Sequence, residues 1–352
     1  MSRRARDDEE PFESDRIAGQ AHPRETFSLV GQDEALARAA RAVRSGRPPQ
    51  GWLIAGPPGI GKATLAYRVA RYLLAFGATD RGPADLSVPA NDPVVPLVRA
   101  GAHPGLLALR RGLSPKTGEP MTVLAIHEIR KLAGFFGLTS AAGGWRVAII
   151  DTADEMNDEA ANALLKILEE PPRRAMLILI AHRPAQLATT IRSRCQILRL
   201  RPLSDMVLAG ELEARLPKFS AEERARIAAL SGGSLGTALR LAANDGLKLA
   251  ADAERLIERA GAPDFAATLS LAERLGRMDR GIESFGAYLV QILVERILAR
   301  ARAGAQDLER WTTLHNRIAH DFARGAALHL EPRQTILSAA RALEIATRRG
   351  AL

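Results

Sequence analysis

The sequence lacks the residues that mark several classes of protein. Cys195 is the one cysteine among 352 residues, which excludes an intrachain disulfide framework and a multi-cysteine zinc site and fits a reducing compartment. No apolar run reaches the roughly 18 residues of a membrane span, and the first ten residues, MSRRARDDEE, lack the apolar core of a signal peptide. With 47% hydrophobic and 25% charged residues, the composition is globular. We therefore expect a soluble, cytoplasmic protein without a membrane partner.

Acidic residues are missing from residues 171–202, although the chain as a whole carries both signs. The chain has 49 basic and 40 acidic residues, a formal charge of +9, and a pI near 10.3. Such an excess of basic residues suggests a nucleic-acid partner, because lysine and arginine neutralise phosphates. Residues 251–352 have nearly equal numbers of both signs, which indicates that the positive field is local. The arginines of the acid-free stretch are Arg173, Arg174, Arg183, Arg192, Arg194, Arg199 and Arg201.

Short apolar runs alternate with helical patterns over the first 200 residues. The runs predict strands at residues 52–55, 106–109, 145–151, 176–181 and 195–200. This alternation is typical of an α/β fold, a parallel sheet with helices on both faces. Residues 77–104 are rich in glycine and proline and are predicted to lack regular structure. After Pro202 the strand signals end and helical patterns continue to the C-terminus.

The same patterns divide the chain into four predicted segments. We expect a disordered tail at residues 1–24, an α/β base at 25–202, a small helical module at 203–248, and an all-helical domain at 249–352.

A glycine-rich turn, Gly56-Pro57-Pro58-Gly59-Ile60-Gly61-Lys62, joins the first predicted strand to a helix. The backbone N–H groups of such a turn face a concavity where the helix dipole favours anions, and Lys62 would contact the β- and γ-phosphates of a nucleotide. The motif then requires a serine or threonine to hold Mg²⁺. Ala63 stands there, and Thr64, about 100° further round the helix, is a poor substitute. The alternative is an ordinary glycine-rich turn.

Asp151 ends the predicted strand at residues 145–151, where an acid can hold a metal-bound water. In hydrolytic phosphate-loop proteins a glutamate follows as the base, whereas Thr152 follows here and is no base at neutral pH. The alternative is a solvated acid at a strand end. The candidate nucleotide-binding residues are Gly56, Pro57, Gly59, Gly61, Lys62, Thr64 and Asp151.

Several longer strings resemble the clamp-loader subset of AAA+ proteins. The most specific are AANALLKILEEPP at residues 160–172 and IRSRC at 191–195; LVGQ at 29–32, the phosphate loop with ATLA at 56–66, AHP at 102–104 and IDTADEMN at 150–157 also match. The resemblance covers about residues 29–240. It implies an AAA+ P-loop base, a helical lid and an all-α collar that oligomerises.

The resemblance also exposes departures from the family pattern. The family has an arginine at the position of Gly236 that contacts nucleotide from the lid, and a threonine sensor where this chain has Ala181-His182. The family's four-cysteine zinc module is absent from residues 77–104. We therefore predict no metal, no required cofactor, and at most degenerate binding of ATP or ADP.

Arg194 matches the residue that clamp-loader subunits project onto a neighbour's ATP. The resemblance implies a non-hydrolysing subunit of the DNA polymerase III clamp loader that donates this arginine finger. The implied partners are gamma or tau ATPases, delta, the sliding clamp indirectly, and primer-template DNA through the complex. A plain surface arginine is the alternative for Arg194; an active motor ATPase, or a DNA-repair AAA+ protein, is the alternative for the chain.

Overall fold

The computed structural model describes residues 20–113, 121, 123–137, 144–243, 245–278, 281–327 and 330–348. All but the last five residues of the predicted tail at 1–24 lie outside these ranges. The chain forms two compact units: the first holds the residues up to Leu208 together with Gly233–Thr237, and the second holds Ala209–Gly232 and Ala238–Leu352. The domain limits predicted at residues 24, 202 and 248 stay predictions.

A parallel sheet of five strands forms the centre of the first unit, in the order β2-β3-β4-β1-β5. All five predicted strands are confirmed, with each end within one residue of the prediction. β1 and β4 lie inside the sheet and are buried along their whole length, as expected for apolar strands covered on both faces. The strands are β1 (Gly51–Ala55), β2 (Leu106–Arg110), β3 (Arg146–Asp151), β4 (Ala175–Ala181) and β5 (Gln196–Arg199).

Helices cover both faces of this sheet, which confirms the predicted α/β class. One core cluster joins the sheet to α1 and α2, and a second joins its other face to α4, α5 and α6. The helices of this unit are α1 (Asp33–Arg44), α2 (Lys62–Phe76), α3 (Val94–Arg99), α4 (Ile126–Gly137), α5 (Asp158–Glu169) and α6 (Thr189–Arg192).

The prediction that residues 77–104 lack regular structure was wrong for α3. Pro93 is the N-cap of α3 and Pro96 lies in its first turn. The first turn of a helix leaves its N–H groups without partners inside the helix, so a proline there removes no hydrogen bond. A high proline count therefore did not exclude a short helix.

The second unit is helical throughout its described residues, as predicted. α8 begins with a capping box between Ser220 and Glu223 and ends at Gly232, which has the left-handed conformation that a helix C-cap favours. α7 and α9 begin in the first unit. The remaining helices are α7 (Asp205–Arg215), α8 (Ala221–Ser231), α9 (Leu235–Ala243), α10 (Gly246–Glu258), α11 (Phe265–Gly276), α12 (Gly281–Arg302), α13 (Leu308–Ala327) and α14 (Pro332–Arg348). Across the described ranges, no helix is both long and apolar enough to span a bilayer.

Two arginines of α2 fix the segment that precedes α1. Arg71 is buried and donates hydrogen bonds to the carbonyl oxygens of Arg24 and Thr26, at 2.8 and 2.9 Å. Arg68 donates to the carbonyl oxygen of Phe27 at 2.8 Å. Burial lowers the pKa of Arg71 to about 10, so its guanidinium stays charged at neutral pH and these bonds persist.

Two glycines in helices of the second unit predict opposite effects on stability. A β-carbon at Gly286 on α12 would overlap the ring of Phe322, whereas one at Gly210 on α7 meets open space. We expect Gly286→Ala to lower the free energy of unfolding by about 1–3 kcal/mol through overpacking. Gly210→Ala should raise it by about 0.5–1 kcal/mol through helix propensity. Urea unfolding followed by circular dichroism measures both, and a stabilised Gly286→Ala variant would contradict the packing described.

Candidate functional site

The glycine-rich turn lies where β1 ends and α2 begins, as predicted. Gly59 and Gly61 have φ angles of +75° and +100°, in the left-handed region that favours glycine. A β-carbon at Gly59 would also lie 2.6 Å from the Ser234 hydroxyl oxygen. The turn therefore requires glycine at Gly59 both for its backbone angle and for the close approach of another segment.

Lys62 turns back onto the loop that precedes it. Its side chain is buried, and Nζ donates to the carbonyl oxygens of Gly56 at 2.7 Å and of Pro57 at 2.6 Å. These two bonds hold the ammonium group against the loop, in which a phosphate-loop lysine contacts phosphates.

The residues at the start of α9 contact the same loop. The Ser234 hydroxyl donates to the Pro58 carbonyl oxygen at 2.8 Å, and the Gly236 N–H donates to the Gly59 carbonyl oxygen at 2.8 Å. Gly236 is the position at which the family carries a nucleotide-contacting arginine. Gly236 therefore contributes a backbone N–H to the loop and no cationic side chain.

Gln32 holds the loop from a third direction. Its buried side-chain amide donates to the carbonyl oxygens of Ile60 at 3.4 Å and of Arg201 at 2.8 Å, while its Oε1 accepts from the Arg201 N–H at 3.2 Å. Sequence patterns predicted no role for Gln32 or Ser234. The LVGQ string contained a signal for Gln32, because a glutamine in an otherwise apolar string needs polar partners when buried.

Asp151 lies at the carboxyl end of β3, at the same edge of the sheet as the glycine-rich turn. Its register partners are Arg110 on β2 and Ile180 on β4. Thr152 is buried beside it. Asp154, the nearest other acid in sequence, accepts from the N–H groups of His182 at 3.0 Å and Arg183 at 2.8 Å. That carboxylate therefore fixes the end of β4.

This edge of the sheet does not fit a magnesium nucleotide and an attacking water. Ala63 supplies no oxygen for Mg²⁺, and Thr64 lies half-buried in the first turn of α2. Thr152 supplies no base. The structure brings Gly56, Pro57, Gly59, Gly61, Lys62, Thr64 and Asp151 to one edge of the sheet. Their role in binding nucleotide stays a prediction.

Arg194 lies at the opposite edge of the sheet. The backbone of Arg194 packs against Gly51, the first residue of β1: a β-carbon added there would lie 3.0 Å from the Arg194 carbonyl oxygen. The glycine-rich turn follows Ala55, the last residue of β1. Five residues of strand extend roughly 16 Å. The guanidinium contacts its own surroundings: Nη1 donates to the Thr190 carbonyl oxygen at 3.0 Å, and Nη2 lies 2.8 Å from Glu169 Oε1.

The arginines of residues 171–202 do not form one patch. Arg173, Arg174 and Arg194 precede β4 or β5 and lie towards the amino edge of the sheet. Arg183 and Arg201 follow these strands at the carboxyl edge. Because the arginines of residues 171–202 lie at both ends of the strands, they do not present one basic surface to nucleic acid.

Cys195, next to Arg194, is half-buried against the core on the α5 side of the sheet. Burial raises the pKa of its thiol to about 12. A neutral thiol is a weak nucleophile, so Cys195 packs as a small apolar residue and is not a reactive one.

Comparison with known proteins places residues 31–204 in the family described as "DNA polymerase III, delta subunit". Residues 31–204 are similar to clamp-loader proteins of DNA polymerase III. Among similar proteins, DNA polymerase III subunit delta' of Pseudomonas aeruginosa is 39% identical over 54% of this chain and 55% of its own length. The delta' subunit of Escherichia coli is 31% identical over 58% of each. The predicted resemblance to clamp-loader proteins is confirmed for this segment, and both of these relatives are delta' subunits.

These matches span little more than half the length of the delta' relatives. Subunit tau of Escherichia coli is 27% identical over 64% of this chain and 33% of its own length. Among solved structures, a gamma-subunit-related protein of Thermotoga maritima covers 89% of this chain and 99% of its own, at 18% identity and a TM-score of 0.39. The match to RuvB of the same organism covers 81% of this chain and 87% of RuvB, at 19% identity and a TM-score of 0.43.

The raised pKa predicts that Cys195 reacts slowly in the folded chain. At pH 8 a thiol of pKa about 12 has about a thousandfold less thiolate than one at the ordinary value of 9.0. We expect iodoacetamide to modify the native chain at least about 100-fold more slowly than the urea-unfolded chain. Because folding raises this pKa, the associated stability is complete below pH 9 and declines as the pH rises towards 12. Equal rates in the two states would contradict the burial.

Proposed function

We propose that the chain is a non-hydrolysing, at most weakly nucleotide-binding AAA+ subunit of the DNA polymerase III clamp loader, which donates Arg194 to the ATP of a neighbouring ATPase subunit. In this role it supports ATP-driven loading of the sliding clamp on DNA. The observation that carries the proposal is the separation of Arg194 from this chain's own glycine-rich turn by the length of β1.

The residue types around the glycine-rich turn support the absence of hydrolysis. The positions for the Mg²⁺ ligand and the base hold Ala63 and Thr152, and Gly236 has no side chain to contact a nucleotide from the lid. Losing a general base or an electrostatic contact to the transition state each costs roughly two or more orders of magnitude in rate. Several such losses in one pocket leave no competent hydrolase.

The chemistry of Arg194 suits action on a neighbour. A guanidinium is planar and permanently charged, and its fork of N–H groups matches phosphate oxygens. Supplied in trans, it stabilises the negative charge that builds on the γ-phosphoryl oxygens, and such fingers contribute roughly 10³ to 10⁵ in rate. The Arg194 side chain is 37% exposed at the sheet edge, where a second protein can approach it.

The partners follow from the same proposal. Relatives of this chain bear the names of subunits delta', tau and gamma of DNA polymerase III. We propose gamma or tau ATPases and delta as direct partners, with the sliding clamp and primer-template DNA reached through the complex. The segments proposed for this assembly are the base at 25–202, the lid at 203–248 and the collar at 249–352.

Replacing the finger should slow the complex and leave it assembled. We expect Arg194→Ala, in a complex where only the ATPase subunit beside this chain is competent, to lower turnover by at least about 100-fold. Arg192→Ala is the matched control, because Arg192 lies two residues away and its guanidinium bonds to Thr189 on its own helix. Steady-state ATPase assays, with assembly checked by size-exclusion chromatography, measure both. Unchanged turnover in Arg194→Ala would overturn the proposal.

The purified chain alone should show no magnesium-dependent ATP turnover above background. A motor ATPase would instead turn over ATP and lose that activity in Lys62→Ala. A DNA-repair AAA+ protein would bind duplex DNA tightly with a steep salt dependence. A phosphate-release assay and a fluorescence-anisotropy titration at two salt concentrations distinguish the three functions, and robust turnover by the lone chain would contradict the one proposed.

A further inference from the structure

The guanidinium of Arg194 already has an anionic partner within its own chain. Nη2 lies 2.8 Å from Oε1 of Glu169, and the two side chains are 37% and 50% exposed. A second bond, from Nη1 to the Thr190 carbonyl oxygen at 3.0 Å, fixes the other arm of the fork. Arg194 is therefore held on this chain at two points, one neutral and one charged.

The fold brings these two residues together although 25 positions separate them in sequence. Glu169 is the last residue of α5, which Pro171-Pro172 prevents from continuing and which leads into β4. Arg194 lies between α6 and β5. Because β4 and β5 are parallel to β1 and flank it, the segments entering them meet at one edge of the sheet.

An ion pair between two exposed side chains is weak, changing an equilibrium by only about two- to fivefold. A phosphate group bound end-on by the guanidinium would use the same outer N–H donors that the Glu169 carboxylate and the Thr190 carbonyl oxygen occupy. The carboxylate carries one negative charge, whereas a terminal phosphate carries more. A neighbour's nucleotide can thus displace the Glu169 carboxylate from Arg194. Before this displacement, the negative charge of Glu169 weakens the attraction between the Arg194 guanidinium and the phosphate.

We propose that Glu169 is a positioning residue that regulates the arginine finger, retaining the Arg194 guanidinium on its own subunit until a neighbouring ATP replaces the carboxylate. The inference rests on the proposed function of Arg194. It adds a restraint on this chain that opposes engagement, so removing the carboxylate should make the neighbouring site more active.

The test uses the assembled complex in which only the ATPase subunit beside this chain is competent. We expect Glu169→Gln, which keeps the size of the side chain and removes its charge, to raise kcat/KM for ATP about two- to fivefold. Glu169→Ala should give the same gain, which guards against an effect of the new amide. A merely structural role would lower activity rather than raise it.

Glu170→Gln is the matched control, because it removes the same charge at the next position and should leave kcat/KM unchanged. In an Arg194→Ala background, Glu169→Gln should have no effect, because the carboxylate acts through the guanidinium. The gain should also shrink at high salt, which screens the exposed pair in the wild type.

The outcomes separate this inference from the function on which it rests. If Arg194→Ala lowers turnover and Glu169→Gln leaves kcat/KM unchanged or lowers it, Arg194 acts as an arginine finger and the proposed role of Glu169 is wrong. If Arg194→Ala has no effect, the proposed function itself fails. An equal gain in kcat/KM in Glu170→Gln would contradict a specific role of Glu169, because any loss of negative charge near Arg194 would then have the same effect.

Discussion

The common direction of the five strands determines what each edge of the sheet can do. A parallel strand needs a crossover to return, so every connection that follows a strand leaves at one edge and every connection that enters one arrives at the other. The glycine-rich turn follows β1, and Asp151 ends β3 at the same edge. Arg194 precedes β5, so it lies at the other edge with the length of a strand between it and its own phosphate loop.

The glycine-rich turn keeps its backbone shape while its polar groups bind one another. Lys62, Ser234 and the N–H of Gly236 satisfy four consecutive carbonyl oxygens, those of residues 56–59, and Gln32 bonds to the carbonyl oxygen of residue 60. Buried carbonyl groups need such partners, since leaving one unpaired costs about 1–3 kcal/mol. In this arrangement the loop is a structural junction between β1, α2 and the start of α9. The glycines remain necessary for that junction, because Gly59 has no room for a side chain.

Apolar periodicity was sufficient to predict the sheet. All five strands are short, largely apolar runs between helical patterns. α5 begins after Asn157, whose side chain caps it, and ends before Pro171-Pro172, which cannot continue a helix. α3 was not predicted, because composition alone does not show whether a proline lies in the first turn of a helix or in its interior. Pro93 and Pro96 lie where a helix tolerates them. Local signals therefore predicted elements well and failed where the position within an element mattered.

The candidate site was predictable as a set of residues and unpredictable as a set of contacts. The spacing of Gly56, Gly61 and Lys62 predicted the glycine-rich turn between β1 and α2, and Ala63 and Thr152 predicted that it lacks a Mg²⁺ ligand and a base. The bond from Ser234 to the Pro58 carbonyl oxygen joins positions 176 residues apart, and only the tertiary fold determines it. The same holds for the pairing of Arg194 with Glu169, which depends on how two crossovers meet at the sheet edge.

The most direct test of the division between the two edges is a cryo-electron microscopy structure of the assembled complex with a non-hydrolysable ATP analogue. The account predicts the Arg194 guanidinium within hydrogen-bonding distance, about 3 Å, of the γ-phosphate in the neighbouring subunit. It also predicts Lys62 still bound to the Gly56 and Pro57 carbonyl oxygens. An ATP analogue with Mg²⁺ in this chain's own loop, or Arg194 distant from every nucleotide of the complex, would contradict it.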